Sequence, residues 1–91
     1  MRADRRDNNE AEYLELWKGL GYVWVAMKPG QGFDGLLVTP TGIHIVEIKN
    51  GNYKWKLTDC ERKVKEQVEH MGQEYHIIDC LEDAKYLAGA I

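Results

Sequence analysis

The chain has 91 residues, of which 44% are hydrophobic and 30% charged, and its formal net charge is −3. That length supports a single domain, residues 1–91, and excludes two; the composition excludes a disordered chain, and so small a core gains from dimerisation. No stretch approaches the ~20 apolar residues of a membrane span, and the charged N-terminus does not read as a signal peptide.

Residues 1–6 are polar and predict a frayed start. Asp7 with Glu10 three residues on has the spacing of a capping box. It predicts a helix from Asn8 to Leu20, stopped by Gly21. Tyr13, Leu16, Trp17 and Leu20 form its apolar stripe, and extending that stripe back one turn reaches Glu10. Tyr22 to Met27 reads as a strand, and Lys28-Pro29-Gly30-Gln31-Gly32 as a loop.

Leu36–Val38 and Ile43–Ile48 are aliphatic runs around Thr39-Pro40-Thr41-Gly42, a type I turn signature. Pairing Thr39 with Gly42 places Asp34 directly across from Glu47. Asp34, Glu47 and Lys49 then share one face with Leu36, Val38, Ile43 and Ile45. Leu37, His44, Val46 and Ile48 share the other. Both faces are apolar, which predicts a hairpin buried on both sides at the centre of a sheet. Carboxylates and a lysine at the edge of such a sheet are costly to place and ask for a role beyond folding.

After the turn Asn50-Gly51-Asn52, Tyr53-Lys54-Trp55-Lys56 alternates aromatic and basic residues like a short strand. Lys54 and Lys56 could follow phosphates and Trp55 could stack on a base, or the lysines could simply protect a sheet edge. From Lys49 to Lys65 six basic residues stand against two acidic ones, so the net charge is unevenly spread. Thr58 and Glu61 form a second capping box, opening a helix from Asp59 to Met71 with Cys60, Val64, Val68 and Met71 on one face. Gln67, near that stripe, reads as a buried amide with a backbone partner. Tyr75–Ile78 is a fourth strand, and Asp79 caps a last helix with Ala84, Leu87, Ala88 and Ile91 on one side. Cys60 and Cys80 read as free, buried thiols of a cytoplasmic protein. His44, His70 and His76 lack the spacing of a metal site. The fold class is α/β, a mixed sheet flanked by helices in the order α-β-β-β-α-β-α.

Two opposed carboxylates suit an oxygen-loving divalent cation such as Mg²⁺, which lowers the pKa of water that it binds. Lys49 would hold that water or stabilise negative charge added to a phosphate, the Ile48 carbonyl could be a further ligand, and Glu10 could join directly or through a water, or merely complete its capping box. By itself the Asp34…Glu47-Ile48-Lys49 pattern also fits a cross-strand ion pair.

The pattern Asp34, then Glu47-Ile48-Lys49, resembles the PD-(D/E)xK nuclease motif. Asn9-Glu10 on a helix, Gly32-Phe33-Asp34, Val46-Glu47-Ile48-Lys49-Asn50 and Leu57-Thr58 opening a helix resemble its VRR-NUC branch, along nearly the whole chain. The family usually has Pro where Phe33 stands; that position shapes a turn and holds no metal. The Val-Arg-Arg behind the family's name is not found here. The resemblance implies a restriction-endonuclease-like core. It also implies Mg²⁺ or Mn²⁺ held by Glu10, Asp34 and Glu47, with Lys49 catalytic, and hydrolysis of DNA to 5′-phosphate and 3′-hydroxyl ends. Stand-alone viral and bacterial members, some of which cut four-way junctions as homodimers, are the type that it matches. A rival expectation is a non-catalytic DNA-binding or assembly module on the same fold.

Overall fold

A computed structural model of the chain describes residues 2–49 and 56–89, with side chains from Glu10 onward. The elements run α1 (Arg2–Gly19), β1 (Val23–Ala26), β2 (Gly35–Thr39), β3 (Gly42–Ile48), α2 (Asp59–His70), β4 (Tyr75–Ile78) and α3 (Leu81–Leu87). The protein is a small α/β domain with one mixed four-stranded sheet in the order β1-β2-β3-β4. β1, β2 and β3 pair antiparallel, and β4 joins β3 in parallel after the α2 crossover. The expected element order holds. The interleaved stretch at 53–56 lies outside the described residues except for Lys56, which is exposed and not in a strand.

α1 begins before the expected position, at Arg2, so Asp7 and Glu10 lie inside the helix rather than at its start. Arg and Ala are good helix formers, and no breaker precedes Gly19. The helix closes through Gly21, at φ 83°, with the Tyr22 amide donating to the Trp17 carbonyl. This is the left-handed cap that glycine adopts without a Cβ penalty. α2 starts with the capping box expected at Thr58 and Glu61, both hydrogen bonds being present. α3 is capped not by Asp79 but at Cys80, whose side chain makes no capping bond.

The β2–β3 register is the one that the Thr39–Gly42 turn implies, with Leu37 opposite His44 and Leu36 opposite Ile45. The two sheet faces differ in cover. Leu37, Val46, Ile48 and Ile78 pack against Tyr13 and Trp17 of α1 and Ala84 of α3, with Ala88 just beyond that helix. Trp17 stacks on Trp24 and donates its indole N–H to the Ala84 carbonyl at 3.1 Å, tying the two helices to this face. The opposite face carries Val23, Val25, Leu36, Val38, Ile43 and Ile45, and Ile43 is 67% exposed. The hairpin is therefore buried on one side, while the other side is buried only at its Glu47 end, against expectation. α2 has no buried residue, and its Cys60 and Met71 are exposed, so the predicted stripe covers just one end of this face. Gln67 is exposed as well. Both cysteines are free, as expected, but exposed rather than buried.

Gly35 is the tight point of the sheet. A Cβ there would lie 2.5 Å from the Trp24 ring and 2.7 Å from the Val25 carbonyl oxygen, which pairing holds in place. Gly35→Ala is expected to lower unfolding stability by about 1–3 kcal/mol, as overpacking does. Urea unfolding followed by Trp fluorescence measures it, and an unchanged midpoint would remove this account of the close packing.

Candidate active site

The C-terminal end of β3 carries Glu47 and Lys49 on the face that α2 overlies, because Val46 and Ile48 point to the α1–α3 core. Glu47 is the one buried charged residue among those described, 4% exposed. Asp34 immediately precedes β2, and here the register departs from simple opposition. Gly35 pairs with Val46, yet the Asp34 amide also donates to the Val46 carbonyl at 2.9 Å. Two residues thus meet one, as in a β-bulge, and the chain turns aside before Asp34 can sit directly across from Glu47. The Asp34 carboxylate instead accepts the Ile48 amide through Oδ2 at 2.7 Å, in place of a strand carbonyl. N–H and C=O of one strand residue point the same way. The Ile48 carbonyl therefore faces the Asp34 side of β3.

Lys49 lies between two acids. Its Nζ is 3.3 Å from Glu47 Oε2 and 2.9 Å from Glu61 Oε1. Glu61 is the residue that sequence reasoning missed as part of the site. Its oxygen closes the α2 capping box by accepting the Thr58 amide at 2.9 Å, and the same oxygen accepts from Lys49. The capping pattern was legible, but nothing in it showed that the first turn of α2 would sit over the end of β3. Tyr75 helps set that position: its hydroxyl donates to the Gly32 carbonyl at 2.6 Å. A Cβ on Gly32 would meet the Val64 side chain of α2, so glycine here lets the loop close against the helix.

Burial pushes the Glu47 carboxyl up to about 8, helped by the Asp34 charge and by Glu61, to which protonated Glu47 donates; Lys49 opposes the shift. Burial works against the Lys49 charge too, but hydrogen bonds to Glu61 and Glu47 outweigh it and hold the ammonium above its ordinary range. For Glu61 burial is outweighed by Lys49 and the Thr58 amide, and its carboxyl lies below the usual value. Two acidic side chains thus flank one ammonium, with Asp34 close enough to Glu47 to raise its pKa, a set rich in oxygen donors and short of positive charge. Hard oxygen donors of this kind suit a divalent cation such as Mg²⁺ or Mn²⁺.

Glu10 is not among the largest influences on Glu47. It is partly buried, one turn before Tyr13 on the apolar stripe of α1. Lys54 and Trp55 lie outside the described residues. Asp79, Cys80 and Asp83 are the only described His, Cys or acidic side chains, in a group of three, with ligand atoms all within 4.8 Å of one another. Asp34, Glu47 and Glu61 are more widely spread than that. No described helix is long and apolar enough to cross a membrane. No protein-family model, no curated protein and no solved structure matches this chain.

Proposed function

We propose that this protein is a metal-dependent DNA endonuclease of the PD-(D/E)xK type, acting on phosphodiester bonds. The observation that carries the reading is the nearly buried Glu47, held beside Lys49 and under the influence of Asp34 at the end of a central strand. A folding role alone gives no reason to retain a buried acid with so high a pKa.

In this reading Asp34 and Glu47 would hold a Mg²⁺ or Mn²⁺ ion, with the Ile48 carbonyl as a further ligand and Glu10 joining directly or through a water. The ion supplies Lewis acidity at a phosphate oxygen and lowers the pKa of the attacking water. Lys49 directs its ammonium at the negative charge that grows on the phosphate as the water attacks in line. Glu61 positions that ammonium while its own place is set by the α2 cap. DNA is the proposed substrate, with branched or four-way forms favoured and 5′-phosphate and 3′-hydroxyl ends as products. Lys56, exposed just before α2, is available to a passing phosphate. Incubation with duplex, flap and four-way junction DNA, with and without Mn²⁺, tests the proposal. Cleavage that requires the metal is expected; binding with no cutting under any condition would leave the rival, a DNA-binding module.

Glu61 gives a finer test. Glu61→Gln keeps a capping-box partner and an acceptor for Lys49, whereas Glu61→Ala keeps neither. Glu61→Ala is expected to cut about 10- to 100-fold more slowly, as loss of one oriented electrostatic group does. Glu61→Gln should retain most of the rate. Equal loss in both variants, measured as single-turnover cleavage, would mean that the charge and not the positioning matters.

A further inference from the structure

Toward the other end of β3 from Lys49, and on the opposite face of the sheet, three ligand-bearing side chains come together. β3 and β4 run parallel, with Ile45 across from Tyr75 and Val46 across from His76. One further step of that register sets His44 across from Glu74, which immediately precedes β4. Strand alternation then puts His44, His76 and Glu74 on the face of Val46 and Ile78. The His44 and His76 rings stand 5.4 Å apart between centres, at 74° to one another. Glu74 Oε1 lies 3.9 Å from His76 Nε2. All three border a groove of about 470 Å³ that Thr39, Thr41 and Tyr86 also line. The two histidines are far apart in the chain, so only the parallel β3–β4 pairing makes them neighbours. We propose that His44, His76 and Glu74 form a binding site for a transition-metal ion of the Zn²⁺ kind, separate from the Asp34–Glu47–Lys49 cluster.

The ring spacing suits a single ion. Imidazole nitrogens bind Zn²⁺ at ~2.0–2.1 Å in tetrahedral geometry, which places the centres of two ligating rings about 5 Å apart. His44 is already oriented for such a role. Thr39 Oγ1 lies 3.1 Å from its Nε2, and Thr41 Oγ1 3.4 Å. With Nε2–H donating to Thr39, the lone pair is left on Nδ1, and an outer hydrogen bond of this kind fixes the tautomer of a ligating histidine. At 3.9 Å the Glu74 carboxylate makes no hydrogen bond to His76, and an ion between them gives both a partner. Two imidazoles and one carboxylate are the donor set of three-ligand zinc sites, which keep a fourth position open. The groove gives a further ligand access to that position. The three ligand atoms do not all lie within 4.8 Å of one another, but Glu74, with a side chain 86% exposed, can rotate onto the ion. Imidazole favours Zn²⁺, Cu²⁺ or Ni²⁺, whereas the carboxylates at Glu47 suit Mg²⁺ or Mn²⁺, so the two sites differ in chemistry. Asp79, Cys80 and Asp83 offer a third donor set, marked by its thiol. The inference does not depend on the nuclease reading, since the histidines meet whether or not the protein cuts DNA.

Titration of the full chain with Zn²⁺ at neutral pH, in competition with a chromophoric chelator, tests the site. Wild type is expected to take up Zn²⁺, and His76→Asn to bind it at least ~100-fold more weakly, beyond what loss of an outer partner alone costs. Thr39→Val removes only the outer hydroxyl and should weaken binding about 10-fold. Cys80→Ser should bind as wild type does. Histidine ring NMR signals of the wild type give a reading that needs no variant. Zn²⁺ is expected to shift those of His44 and His76 before that of His70, which is exposed at the end of α2. Unmoved His44 and His76 signals in excess Zn²⁺, as a stacked ring pair alone would give, overturn the proposal. Undiminished affinity in His76→Asn, or loss of binding in Cys80→Ser, overturns it too.

Discussion

Glu47→Gln protein is expected to lose metal-dependent DNA cleavage by at least ~10³-fold, while remaining folded. The amide matches the carboxyl in shape but cannot carry the charge that grips a divalent ion, and losing that ion removes several kcal/mol of charge stabilisation from the reaction. Lys49→Ala should fall by about 10²- to 10³-fold, through loss of the ammonium aimed at the phosphate. The two variants differ in stability. Glu47→Gln removes a buried acid beside Asp34 and Glu61, whereas Lys49→Ala removes the cation that both Glu47 and Glu61 contact. Glu47→Gln is therefore expected to match or exceed wild-type stability without metal at pH 8, and Lys49→Ala to fall below it. Higher stability joined to lost activity is the usual trade at a strained catalytic site. Cleavage kinetics with urea unfolding of both proteins check this, and undiminished cutting by either would end the proposed mechanism.

The second large effect is on stability against pH. Glu47 titrates from 4.5 in the unfolded chain to about 8 in the folded one. Between those values the folded protein holds a proton that the unfolded chain has released, so stability falls as pH rises across this window. At 1.36 kcal/mol per unit the loss reaches at most roughly 5 kcal/mol, a large share of a small domain's total. His76 acts the other way, because burial holds its pKa below the ordinary value, so its share rises with pH. Glu61 lies below its usual range, so its contribution is complete above about pH 4.5 and does not change in this window. Comparing wild type with Glu47→Gln isolates the Glu47 component. Mn²⁺ should replace the proton, raising the wild-type melting temperature markedly at pH 8, little at pH 5, and not at all in Glu47→Gln. Parallel wild-type and Glu47→Gln curves from pH 5 to 8, with or without Mn²⁺, would show that Glu47 is neither protonated nor metal-binding as proposed.

The local features were legible because short-range chemistry sets them. Thr39-Pro40-Thr41-Gly42 set the hairpin register, Thr58 with Glu61 set the start of α2, and β-branched runs marked all four strands. The Asp34, Glu47 and Lys49 grouping followed from that register and strand alternation. Where the reading departed from the structure, the deciding contacts were distant in sequence or depended on what packs above a face. The bulge at Asp34 changes one pairing step, which no residue pattern in the hairpin announces. Amphipathic spacing in α2 indicated a buried stripe, but spacing cannot show how much of a face a 12-residue helix will cover.

The amino-acid sequence alone therefore determined the elements, their order, the hairpin pairing and the presence of an acidic pair with a lysine near it. Each of these rests on interactions within a few residues or across one tight turn. Only the tertiary structure decided that Glu61 joins Lys49 and that two rows of aliphatic side chains on the outer face remain open. Those outcomes depend on where the α2 crossover lays its first turn over the end of β3, and that placement is settled by packing between segments far apart in the chain.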